Sequence, residues 1–100
     1  MTAYVISDVV PRDPALVATY RERARAAVES YGGRYLSNVG GAVEAVEGDW
    51  APANVVIVAF PSMERARAWY RSPEYGPALE VRERALSRNL ILVEGADEAD

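Results

Sequence analysis

Hydrophobic and polar positions divide the chain into short blocks of two periods. Ala3 to Val10 is β-branched and nearly all apolar, which predicts a first strand. Asp13-Pro14 then opens a helix, with aspartate as the cap and proline at the first helical position. Leu16, Val17, Tyr20, Ala24, Ala27, Val28 and Tyr31 recur at helical spacing and give that helix one apolar face. Gly32-Gly33 ends it. A second strand begins at Arg34 to Ser37, kinks at Gly40-Gly41 and is expected to resume over Ala42 to Glu47, where the residues alternate between two faces. A hairpin loop at Gly48 to Pro52 leads to the apolar strand Val55 to Phe60. Ser62 caps a second helix with Met63, Ala66, Trp69 and Tyr70 on its apolar side. Ser72-Pro73-Glu74 restarts a third, whose inner face carries Tyr75, Ala78, Leu79, Arg82, Ala85 and Leu86. Leu90 to Val93 is the last strand.

The order β-α-β-β-α-α-β is the split β-α-β, ferredoxin-like arrangement of the α+β class, with the second helix broken in two. It predicts a four-stranded antiparallel sheet with helices on one face, formed by residues 1–95 as a single domain, with an acidic tail at 96–100. The strands pose a problem for that architecture. On the first, Val5 and Val9 alternate with Tyr4, Ile6 and Val10; on the third, Val55 and Ile57 alternate with Val56, Val58 and Phe60. A sheet wetted on one side should alternate apolar with polar. The helices cover one face, so a second copy packing sheet against sheet is expected to cover the other. A sheet merely rich in β-formers is the alternative.

Composition narrows the chemistry. The chain has 100 residues, no cysteine and no histidine, and 11 basic residues that are all arginine. Disulfides, cysteine or histidine metal sites, serine–histidine triads and lysine Schiff bases are thereby excluded. Fifteen acidic residues set a net charge of −4, which argues against nucleic acid as a partner. The longest apolar run, Val55 to Phe60, is far too short to span a bilayer, and the first residues lack the basic start of a signal peptide, so a cytoplasmic protein is expected. Glu44, Glu47 and Asp49 lack the spacing of a cation-binding loop, and no metal or other cofactor is expected.

Two polar residues interrupt apolar surroundings. Asp8 lies in the first strand and Arg82 on the inner face of the third helix. Buried unpaired, each is costly. They are expected to meet in one partly wet cavity between helices and sheet, where Arg82 pairs with Asp8 or grips the carboxylate of a ligand. Alternatively, Asp8 sits at the strand end in solvent and Arg82 snorkels. Tyr35, Trp69, Tyr70 and Tyr75 are aromatics that line such a cavity, three with a hydroxyl. The break at Ser72-Pro73 offers free amides that suit an anion, unless Ser72 is a plain cap.

Taken together, Gly32-Gly33-Arg34-Tyr35-Leu36, Glu47-Gly48-Asp49-Trp50 with Pro52, Phe60-Pro61-Ser62-Met63-Glu64, Ala68-Trp69-Tyr70 with Ser72-Pro73-Glu74-Tyr75, Arg82 and Val93-Glu94-Gly95 resemble the domain of unknown function 1330 family. The resemblance runs from Tyr4 to Gly95. It implies a dimeric α+β barrel, and relatives in that superfamily include cofactor-independent monooxygenases, isomerase-like and dehydratase-like enzymes, and small-molecule-binding proteins. It also implies roles for Arg34 and Tyr35 in strand two, for Tyr70, Ser72, Tyr75 and Arg82 around the helix break, and for the acidic position Asp8. The chain departs from the family pattern at Asn38-Val39, which precedes Gly40-Gly41 where an arginine is usual. Three functions follow as expectations: a homodimer binding a small anionic or aromatic molecule, a cofactor-independent enzyme with Asp8 as general base, or a structural dimer with no ligand.

Overall fold

The computed structural model describes residues 1–96, so most of the expected acidic tail, residues 97–100, lies outside the described residues. Asp13 caps the first helix, its Oδ1 accepting from the amides of Ala15 and Leu16, and Pro14 holds the first helical position. Ser62 does the same for the second, accepting from the Arg65 amide at 3.1 Å. The elements run β1 (Ala3–Pro11), α1 (Pro14–Ser30), β2 (Arg34–Ser37), β3 (Val55–Phe60), α2 (Met63–Tyr70), a short 3-10 helix (Pro73–Tyr75), α3 (Gly76–Ala85) and β4 (Leu86–Glu94). The strands form one antiparallel sheet in the order β2-β3-β1-β4, with the ferredoxin-like topology.

Register divides the strand side chains cleanly. Ala3, Val5, Ser7 and Val9 of β1 face the helices and are buried, as are Val58 and Phe60 of β3 and Leu86 of β4. The core between helices and sheet is closed by Tyr75, Phe60 and Val28, the largest side chains with essentially no exposure. Gly33 is required there: a Cβ would stand 2.7 Å from both the Phe60 ring and the Val28 side chain. Gly32 before it turns the chain with φ of +79°, a conformation that L side chains rarely adopt.

The opposite face has no helix. Tyr4, Ile6 and Val10 of β1 point there, beside Ile57 of β3 and Ile91 and Val93 of β4. Val10 is 62% exposed and Ile91 57%. The doubly apolar patterning therefore leaves a real apolar surface on this chain.

Two expectations are corrected. Residues 42–47 form no strand; β2 ends at Ser37, and its irregularity lies between Tyr35 and Ser37 rather than at the glycines. Asn38 and Asn54 redirect the chain instead. Asn38 Oδ1 accepts from the Val39 amide, while Asn54 accepts from the Gly40 amide and donates to the Val9 carbonyl. The connection from 38 to 54 carries exposed Val46 and Trp50. Second, β4 begins at Leu86 rather than Leu90, so Leu86 belongs to the sheet and not to the third helix.

Candidate functional site

Because β4 starts at Leu86, Arg88 shares the face of Leu86, Leu90 and Leu92 and points toward the helices. Its guanidinium fork donates to two phenols from other elements. Nη1 donates to the Tyr20 hydroxyl of α1 at 2.6 Å, and Nη2 to the Tyr75 hydroxyl of the 3-10 helix at 2.8 Å. The two hydroxyls also hydrogen-bond to each other. The count of hydrogens leaves a surplus. Two phenols carry two hydrogens, one lies between the oxygens, and Arg88 supplies its own. One phenolic hydrogen has no acceptor among the described residues, each phenol being able to donate only once. No carboxylate pairs with Arg88 among the described residues.

The electrostatics follow from this arrangement. Burial, and after it the neighbouring Tyr20, pushes the Tyr75 phenol above its ordinary range. Burial works against the charged form of Arg88, but Tyr20 and Tyr75 offset it and hold its pKa above the ordinary value. Tyr35, which faces the same space from β2, is raised to about 12, chiefly by burial.

Tyr20, Arg88 and Tyr35 border a cavity of about 50 Å3 between α1 and the sheet, together with Ser7, Arg25 and Asn38. A few water molecules fit such a space. Trp69 also lines it; this residue is 3% exposed, and its indole Nε1 has no hydrogen-bond partner among the described residues. An orphaned buried donor is costly, so a polar occupant at this end of the cavity is favoured. Trp69 packs on Tyr75 with ring centroids 4.4 Å apart and meets Tyr70 edge-on at 5.9 Å.

On the other side of Arg88 lies an open cleft of about 440 Å3. Arg67, Tyr70 and Arg71 border it from α2 and the residue after it, Arg82 from α3, and Arg88, Leu90 and Leu92 from β4. Arg88 is common to cavity and cleft.

The expected site residues are thus distributed unevenly. Tyr35 and Trp69 line the cavity, Tyr75 is tied to it through Arg88, and Tyr70 and Arg82 line the cleft. Ser72 is a cap: its Oγ accepts from the Tyr75 amide at 3.1 Å and donates to the Trp69 carbonyl at 2.7 Å, so the helix break presents no free amide at this serine. Arg34 is exposed and shares the open-face register of Ala59 and Tyr4.

Asp8 and Arg82 do not meet. Asp8 projects from the open face, where Oδ1 accepts from the Asn89 amide at 2.8 Å and Oδ2 faces the Asn89 side-chain nitrogen at 3.4 Å. The Asn89 amide holds its carboxyl below the usual aspartate value, against slight burial and with smaller help from the Asn89 and Trp50 side chains. Arg82 instead pairs with Glu83, at 3.9 Å. The physical reason is parity. Asp8 sits one residue out of step with the buried Ser7 and Val9, which puts the sheet between it and the helices.

The residues that reasoning from sequence missed are Arg88 and the hydroxyl of Tyr20. Arg88 was discoverable, since it alternates with Leu86, Leu90 and Leu92 once the strand is started four residues earlier. Glu44, Glu47 and Asp49 gather no metal site among the described residues, and no helix there is long and apolar enough to cross a membrane.

Residues 2–96 match the family described as Domain of unknown function (DUF1330). The chain belongs to that family. No curated protein matches it. Among solved structures, a likeness of fold is found in a protein of unknown function from Rhodopseudomonas palustris, at 20% identity and a TM-score of 0.76, covering 96% of this chain and 83% of that one. SnoaB, a cofactor-independent oxygenase from Streptomyces nogalater, is similar at 13% identity and a TM-score of 0.69, covering 96% and 94%. A dimeric ferredoxin-like protein of unknown function from Bacteroides fragilis is similar at 13% identity and a TM-score of 0.62, covering 94% and 96%. At these identities the likeness is one of fold.

Proposed function

We propose that this DUF1330 protein is a homodimer, closed through the open faces of its sheets, that binds a small anionic molecule between helices and sheet. The observation that carries the binding reading is Arg88: a guanidinium set inside the fold, held by two phenols, with no carboxylate partner among the described residues. A cation in that position lacks a counter-ion. An oxyanion arriving there meets the Arg88 fork, the surplus phenolic hydrogen and the Trp69 N–H. Tyr35 closes the cavity, while Tyr70 and Arg82 receive the part of the ligand that extends into the cleft. The dimer is supported by the apolar open face and by the dimeric state of the Bacteroides fragilis neighbour.

The test uses benzoate as the probe, its carboxylate at Arg88 and its ring in the cleft, titrated calorimetrically into the wild type and Arg88→Met, with native mass spectrometry of the purified protein for assembly state and any retained molecule. Arg88→Met is expected to fold and to lose about tenfold or more in affinity, the scale of a charge-assisted hydrogen bond. Equal affinity in a folded variant, or a wild type that neither binds benzoate nor retains a ligand, overturns the reading.

A cofactor-independent enzyme is the second reading, favoured by the surplus phenolic hydrogen. A hydroxyl backed by a guanidinium can donate a proton to a reacting oxygen or stabilise charge developing on it. In that reading the chemistry belongs to Tyr20 and Tyr75, since Asp8 lies across the sheet from the cavity.

A further inference from the structure

The outer cleft has a composition the anion-binding reading does not require. Arg67, Arg71, Arg82 and Arg88 border it, and no carboxylate is among its lining residues. Of the four, Arg82 has an ion pair among the described residues, a loose one with the exposed Glu83 at 3.9 Å. On a protein of net charge −4, four arginines around one hollow are a local concentration rather than a general basic surface. Like charges gathered without counter-ions repel and disfavour the empty state.

We infer that Arg67, Arg71 and Arg82, with Arg88 behind them, seat a phosphoryl group of a small-molecule ligand. The inference rests on the anion-binding reading and names a second group that the same ligand carries. A carboxylate has one charge and two oxygens, which one or two guanidiniums satisfy. A phosphate monoester offers about two charges and three acceptor oxygens, a better match for several forks. The volume, about 440 Å3, is that of a small-molecule site, and Leu90, Leu92 and the half-exposed Tyr70 ring provide apolar walls for the adjoining carbon skeleton. A nucleic acid backbone would instead call for a basic stripe along the surface.

Calorimetric titration with pyrophosphate tests the cleft, and benzoate is titrated in parallel to report on the inner group. Arg67 and Arg71 are exposed, so Arg67→Gln and Arg71→Gln should fold normally. Wild type is expected to saturate at one pyrophosphate per chain, and each variant to bind about fivefold to tenfold more weakly. Arg23→Gln, which removes an arginine paired with Glu80 away from the cleft, is expected to change affinity less than about twofold. Absence of saturable binding, or an equal loss in Arg23→Gln, overturns the inference. Pyrophosphate binding without benzoate binding counts against the inner reading alone; the reverse counts against the cleft alone.

Discussion

The two faces of the sheet carry the same kind of apolar residues, and neighbouring register positions give each a charged residue, yet they do opposite things with them. Val9 pairs with Arg88 and Asp8 with Asn89, so Arg88 and Asp8 stand one step apart in the ladder and point to opposite sides. On the helix side Arg88 is enclosed by phenols and lacks an acid. On the open side Asp8 is satisfied by a backbone amide among side chains that are themselves uncovered. A single-residue step in a strand therefore separates the charge proposed to recruit a ligand from a charge that serves the fold.

The comparison can be broken most forcefully from the helix side. Tyr75→Ala empties the most enclosed aromatic position, 0% exposed, and removes an acceptor from Arg88. It is expected to cost about 3–5 kcal/mol in a chemical denaturation curve. A loss below about 1 kcal/mol would mean that the cluster is peripheral to packing.

On the open side, Ile91→Asp places a charge within the exposed apolar patch, beside Ile6. The single subunit should lose little, within about 0.5 kcal/mol as for other surface positions. The proposed dimer should instead weaken about a hundredfold, which corresponds to about 2.7 kcal/mol and is read by sedimentation over a concentration series. An unchanged dimer would place the interface elsewhere.

The smallest effect belongs to Asp8. Its folded pKa lies below its ordinary value, so its hydrogen bonds contribute stability at pH above the unfolded value of about 3.9 and lose it as pH falls through the folded value. Asp8→Asn should therefore lower stability slightly at pH 7 and flatten the acid limb below about pH 4. An unaltered acid limb in a pH series of melting temperatures would show that Asp8 is not coupled to folding.

How much of this was legible beforehand depended on whether a signal was local. The caps at Asp13 and Ser62, the Gly32-Gly33 stop and the apolar strands β1 and β3 are all short-range chemistry, and each stands where it was expected. The alternation over residues 42–47 misled because a strand needs a partner as well as a pattern, and the Asn38 and Asn54 side chains bend the backbone first. Arg88 was hidden between its polar neighbours Ser87 and Asn89, outside the apolar run Leu90 to Val93, and only the pairing with β1 extends the strand through them. Arg82 misled in the opposite direction. It shares a helical face with apolar residues, but it lies near the C-terminal end of α3, where that face runs out into the cleft.

The contact among Tyr20, Tyr75 and Arg88 spans 55 and 68 positions of sequence from Tyr20. Such a junction closes only after α1, the 3-10 helix and the last strand have all docked, so it forms late in folding. Its amides should exchange with solvent deuterium at the rate of global unfolding rather than by local fraying. The proposed binding centre is thereby tied to the integrity of the whole domain, and occupancy by an anion would slow every deeply protected amide together.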